Sequence, residues 1–287
     1  MDSSIGTTLA PVAVAIRAGE HACCRFAAPE DRARLAAAFV RDELWRGHRV
    51  LYLCDRGYAS DAIDRLTALS DQVGPAIDRR QLEFRVAHDA YFPDGKFEIE
   101  RMLSLIREEH ARALADGYEG LGLIGEAGRA LGESPWFELF AEYEHRLPDL
   151  LRDRTLSLFC QYDHRDFAAG ALSEIAEAHA VDVSPELAAI GRDGYLAAAR
   201  IRPSEALRLA GELDFASADT LAGVLAAHFH GELRLDLADL EYVDVSGMRA
   251  LRGRVGQPIR ITAASESVRR LVDLLAWDTD PDVAITA

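Results

Sequence analysis

Lysine is almost missing from this chain: Lys96 is the only one among 287 residues. Cysteine is scarce, with Cys23, Cys24, Cys54 and Cys160 and no CxxC pair, which excludes a disulfide scaffold and a tetrathiolate zinc site. Cys54 and Cys160 sit in apolar runs, where a free thiol serves as a small buried hydrophobe. No stretch of about 20 apolar residues occurs, so no transmembrane helix is expected. Met1 to Ile16 lacks the basic start and apolar run of a secretory signal, and the expected location is the cytoplasm. Basic clusters are absent as well. With 32 basic and 48 acidic residues the net charge is −16. A chain so acidic is poorly suited to binding nucleic acid phosphates or an anionic membrane surface.

What is present is enough apolar sequence to fold. Hydrophobic residues make up 49% and charged residues 28%, which excludes disorder as the main state. The length fits roughly two domains. The part from Ile201 onward holds nine arginines and fourteen acids, so neither part reads as a DNA-binding domain.

Strand and helix patterns alternate through the first part. His21–Phe26 reads as a strand. Pro29-Glu30-Asp31 then opens a helix to Trp45, with proline and acids in its first turn, and Gly47 ends it. Arg49–Cys54 is apolar without alternation, as a buried parallel strand is. Ala59–Leu69, Phe97–Leu114, Trp136–Leu147 and Ala168–His179 read as helices. Leu82–Ala87, Leu121–Ile124 and Leu156–Tyr162 read as strands between them. Such repeated crossovers predict an α/β fold with a parallel sheet flanked by helices.

The more polar stretch from 181 to 202 reads as a linker carrying a short helix near Pro185–Ile190. A smaller α/β pattern follows. Its expected strands are Leu207–Leu213, Leu233–Leu237, Ile259–Thr262 and Val283–Ile285. Its expected helices are Ser217–Phe229, Ser246–Arg254 and Ser267–Leu275. The expected organisation is a tail over 1–8, a first domain over 9–180, the linker, and a second domain over 203–287.

In the second domain, Leu209-Ala-Gly-Glu-Leu-Asp-Phe215 precedes Leu235-Asp-Leu-Ala-Asp-Leu-Glu-Tyr-Val-Asp-Val-Ser-Gly-Met-Arg-Ala-Leu251. This order and spacing resemble a STAS domain of the anti-sigma factor antagonist family. The resemblance implies a docking surface for an anti-sigma factor, of the serine-kinase type, formed by Asp214, Asp244, Val245, Ser246, Gly247 and Met248. Independently of the family, a small polar residue at a helix start accepts orphan amides and favours a nearby phosphate. A phosphoserine there would add about −1.5 to −2 charge to a surface that a partner must cover. Val245 stands where phosphorylated members of the family carry their serine. Ser246 is therefore the remaining candidate for modification, and a plain helix cap is the simpler reading of it.

In the first domain, His21-Ala-Cys-Cys-Arg-Phe26, Leu51-Tyr-Leu-Cys-Asp55, Tyr143-Glu144 and Leu158-Phe-Cys-Gln-Tyr-Asp163 resemble the MEDS sensory domain. The resemblance implies a RecA-like core and sensing of small, hydrocarbon-type molecules. A Walker A loop would need a lysine at the first strand–helix turn. Ala27-Ala-Pro-Glu-Asp31 stands there instead, so the expectation is a receptor and not an enzyme, without a cofactor.

Ligands of open α/β sheets bind at the carboxyl ends of the strands. The candidate ligand-binding residues are His21, Arg25, Asp55, His88, Glu126, Tyr162, Asp163 and His164, around a small apolar ligand. Ordinary strand-end chemistry is the alternative for each. No metal site is expected, because the His and Cys spacings lack chelating pairs and adjacent Cys23 and Cys24 must point to opposite faces. The combined reading is a cytoplasmic anti-sigma factor antagonist that regulates transcription by protein binding, with a homodimer left open. The alternatives are a RecA-like nucleotide hydrolase with an unorthodox phosphate loop, or a signalling scaffold without a phosphoswitch.

Overall fold

A computed structural model describes residues 15–55, 59–128, 131, 135–152, 154–192, 195–253 and 256–286. The expected tail over 1–8 and the start of the first domain lie outside these residues. The described chain runs β1 (His21–Phe26), α1 (Pro29–Trp45), β2 (Arg49–Cys54), α2 (Ala59–Leu69), α3 (Val73–Asp78), β3 (Leu82–Val86), α4 (Ala87–Tyr91) and α5 (Ile99–Ala115). It continues with β4 (Leu121–Ala127), α6 (Phe137–Arg146), β5 (Leu156–Asp163), α7 (Ala169–Glu177), β6 (Val181–Val183), α8 (Pro185–Ile190) and β7 (Leu196–Ile201). The last part is β8 (Ala206–Leu213), α9 (Phe215–His228), β9 (Leu233–Val243), α10 (Val245–Arg252), β10 (Ile259–Ala264), α11 (Glu266–Leu274) and β11 (Val283–Ile285).

Local chemistry sets these boundaries. In α1 the acids Glu30 and Asp31 occupy the positive first turn. Its other end closes on Gly47, whose φ of 76° lets the Gly47 and His48 amides return to the Leu44 and Glu43 carbonyls. That is a Schellman ending, and it needs the left-handed residue glycine supplies. Every residue of β2, β4 and β5 is buried, as strands covered on both faces must be.

All eleven strands form one sheet, in the order β11-β10-β9-β8-β7-β6-β1-β5-β4-β2-β3. The first six pair in parallel, and β8 to β11 are parallel too. Only β7 is antiparallel to its neighbours, β6 and β8. The α/β class is as the periodicity predicts.

The stretch from 181 to 202 differs from the expectation of a linker. It holds the expected helix Pro185–Ile190, but between two strands that close the sheet. Three-residue β6 is too short to show a period. The Leu-Ala-Ala-Ala-Arg-Ile of β7 is built largely of alanine, a weak strand former. The join is narrow: Val181 pairs with Ile201 and Asp182 with Arg200. Side chains reinforce it. Arg17 reaches Asp236 at 2.9 Å and Asp239 at 2.7 Å, while Arg208 reaches Glu20 at 2.8 Å and Asp236 at 3.1 Å.

Cys23 and Cys24 do point to opposite faces, one into each of two hydrophobic cores. The core holding Cys24 runs on through β8, β9 and α10, so both parts of the chain share it. The core holding Cys23 is rich in aromatic rings, with Tyr91, Phe97, Phe140, Tyr143, Tyr162 and Phe167 in edge and tilted contacts.

Candidate functional sites

The first candidate is the mouth of α9 and α10. Asp244, not Ser246, is the N-cap of α10: its carboxylate accepts the Gly247 amide at 2.7 Å. The other oxygen accepts the Phe215 amide at 3.2 Å, so one side chain serves both helix starts. Asp214 caps α9 in a reciprocal capping box with Ser217. Ser217 is therefore the third residue of that helix and not its cap as its position in the sequence suggests. Ser246 sits in the first turn of α10, half-buried beside exposed Val245.

Gly247 and Met248 need correcting as docking residues. Both are buried, and Met248 is 0% exposed. A Cβ on Gly247 would lie 2.5 Å from the Leu213 carbonyl oxygen, so glycine there permits the close approach of α10 to β8. The sequence reading missed the exposed rings: Phe215 is 77% and Tyr242 50% exposed. For Phe215 the available signal was a large apolar residue in the first helical position, directly after its capping aspartate.

The second candidate is the carboxyl edge of the first domain's strands. Glu126, next to last in β4, is buried and accepts the Tyr52 hydroxyl at 2.6 Å and the Asp55 amide at 2.8 Å. Arg32, buried in α1, lies 3.5 Å from the same carboxylate. Burial raises the Glu126 carboxyl against the pull of Arg32 and these hydrogen bonds. Asp163 is gripped by Arg165 through Nε at 2.8 Å and a second nitrogen, and His164 is exposed beside it. His88 is exposed on α4 against Phe92. Arg25 holds Asp182 of β6. The expected ligand residues thus divide: Asp55 and Glu126 meet, whereas Asp163 with His164, His88 and Arg25 serve separate contacts.

His21 and Tyr162 depart furthest from the expected crevice. Both are buried on the aromatic-lined face of the sheet, because alternation along β1 and β5 turns His21, Cys23, Cys160 and Tyr162 to one side. There His21 Nε2 lies 3.2 Å from Glu144 Oε2 of α6 and 3.5 Å from Cys160 Sγ. His179 Nε2, from the turn after α7, lies 3.5 Å from the same Glu144 oxygen, and Cys160 Sγ lies 3.7 Å from it. The imidazoles lie against each other with centroids 3.9 Å apart and planes tilted by 37°. These four are the one group of three or more His, Cys, Asp or Glu donors found together among the described residues. Burial drives both histidines down to about 3, so both imidazoles are neutral, and pushes the Glu144 carboxyl and Cys160 thiol up. Spacing had given no hint, because the donors come from two strands, a helix and a turn.

A family model described as MEDS, methanogen/methylotroph, DcmR sensory domain, matches residues 20–180. The chain belongs to the MEDS family. A second model, described as Mlab, STAS domain, matches residues 197–285, so the chain is a MEDS–STAS fusion. No curated protein matches the chain. Among solved structures, the flagellar accessory protein FlaH from Methanocaldococcus jannaschii is similar at 11% identity, over 59% of this chain and 72% of that one, with a TM-score of 0.38. No helix among the described residues is long and apolar enough to cross a membrane. The boundary between the two matches falls on β6, α8 and the start of β7, the segment by which the MEDS sheet is extended into the STAS sheet.

Proposed function

We propose that this MEDS–STAS protein is a cytoplasmic anti-sigma factor antagonist that regulates transcription by binding, without catalysis. Its STAS domain docks on a serine-kinase-type anti-sigma factor, and its MEDS domain biases that docking when a small molecule or partner binds. One observation carries the reading. The paired helix mouth at Asp244 presents Phe215, Val245 and Tyr242 to solvent around half-buried Ser246. Large exposed side chains beside a polar rim are the makings of a binding hot spot. The lack of a phosphate-loop lysine, and the arginine already facing Glu126, support a receptor over a nucleotide hydrolase.

The test is calorimetric titration of the full chain with a kinase-type anti-sigma factor from the same genome. Saturable binding that Phe215→Asp weakens at least tenfold is expected. No binding, or binding indifferent to Phe215→Asp, would overturn the proposal, and ATP turnover by the full chain would restore the enzyme reading.

A further inference from the structure

The cluster of His21, Glu144, Cys160 and His179 leaves one buried imidazole nitrogen without a hydrogen bond, and its dimensions also suit something else. Good N–H···O bonds span about 2.7–3.2 Å. Of the two imidazole–carboxylate contacts, His21 to Glu144 just reaches that limit and His179 to Glu144, at 3.5 Å, falls outside it, while the Cys160 thiol 3.5 Å from His21 is within the longer reach of sulfur. His179 Nε2 has no hydrogen-bond partner although it is fully buried and directed into the cluster. Zinc bonds of 2.0–2.3 Å to nitrogen, oxygen and sulfur make tetrahedron edges of about 3.3–3.8 Å. Four of the six edges are 3.2, 3.5, 3.5 and 3.7 Å, and the two from His179 to His21 and to Cys160 lie within 4.8 Å.

The surroundings suit an ion as well. His179 Nδ1 contacts the Ile175 carbonyl at 2.8 Å. That fixes the tautomer in which Nδ1–H donates and Nε2 offers its lone pair inward, the orientation that ligating histidines take. One carboxylate and one thiolate with two neutral imidazoles carry two negative charges, which a divalent ion cancels in an apolar core. The Tyr162 hydroxyl, also buried, makes no hydrogen bond of good geometry beside them.

We infer that His21, Glu144, Cys160 and His179 form a four-coordinate site for a divalent, borderline-soft transition metal, of which Zn2+ fits best. Two imidazoles and a thiolate select this class over Mg2+ or Ca2+, which prefer oxygen alone. On binding, the Cys160 thiol, and Glu144 where it is protonated, give their protons to solvent, and no electron is transferred. All four donors are protein side chains, which marks a structural or sensing ion and not a hydrolytic one. All four donors lie within the MEDS match.

The test uses the full chain, produced in medium supplemented with Co2+. One equivalent of cobalt per chain is expected, with the strong visible bands of a tetrahedral site and a thiolate-to-cobalt band in the near ultraviolet. Replacing Cys23, Cys24 and Cys54 together by serine should leave that band in place. Cys160→Ser should remove it and weaken metal retention at least tenfold. X-ray absorption of the unmutated chain decides the matter even if the variants do not fold, because one sulfur among nitrogen and oxygen neighbours is required. Substoichiometric metal, a shell without sulfur, or a charge-transfer band that survives Cys160→Ser would overturn the inference.

Discussion

Arg25 grips Asp182 at both ends of its guanidinium, with Nε to Oδ1 at 3.1 Å and the terminal nitrogen to Oδ2 at 2.7 Å. Arg202, just past β7, reaches the same carboxylate at 3.6 Å. Asp182 is nearly fully buried, so it stands at the join between the MEDS and STAS sheets with an arginine from each.

Removing that carboxylate should loosen the join. Asp182→Ala is expected to cost about 2–4 kcal/mol, since it leaves two partly buried arginines without the carboxylate they share. Denaturant unfolding gives the total. Hydrogen exchange at Val181, Ile201 and Arg202 should show that opening begins there, and equal protection in both proteins would disprove it.

Charge added at Ser246 should separate stability from docking. An acid in the first turn of α10 interacts favourably with the helix dipole, so Ser246→Asp should leave stability unchanged or raise it by about 0.3–1 kcal/mol. Binding of the anti-sigma factor should weaken nonetheless. Asp244→Ala should instead lose about 0.5–2 kcal/mol through the missing cap. Unchanged affinity in Ser246→Asp would make Ser246 an ordinary first-turn residue.

The aromatic-lined core tolerates little extra volume. A Cβ on Gly125 would lie 2.8 Å from the Tyr91 hydroxyl, whose ring is packed against Phe97 and Phe140. Gly125→Ala should destabilise the chain by about 1–3 kcal/mol. Pairing it with Tyr91→Phe should recover part of the loss, and no recovery would place the strain elsewhere.

Acid should weaken the second tie across the join. Burial alone would raise the Asp236 carboxyl, but hydrogen bonds and charge from Arg17, the Ala238 amide and Arg208 hold it below the ordinary value. A carboxyl lowered by folding stabilises the fold above its unfolded value near 4, and that contribution disappears as pH falls through the lower, folded value. The melting temperature should therefore fall below pH 4, and less steeply in Asp236→Asn. Parallel acid profiles for the two proteins would remove Asp236 from the account.

The sequence was informative where burial imposes a regular pattern. Arg49–Cys54 and Leu156–Tyr162 read as strands because both faces are covered, and Pro29–Trp45 reads as a helix because its start and stop residues are explicit. Leu196–Ile201 was illegible because its identity as a strand comes from its two neighbours and not from its own residues. The caps at Asp214 and Asp244 lie three and two residues earlier than Ser217 and Ser246, since aspartate and serine compete for the same amides. His21, Glu144, Cys160 and His179 were each visible, but only folding brings residues that span most of the first domain into one place.

Because β6 and β7 pair within one sheet, the described backbone joins the two domains through a ladder and not through an open linker. His179 lies two residues ahead of β6, whose Asp182 carboxylate is 3.5 Å from the Cys23 sulfur. The MEDS interior and the STAS sheet thus meet across one short strand, and among the described residues two backbone pairs are all that close that seam.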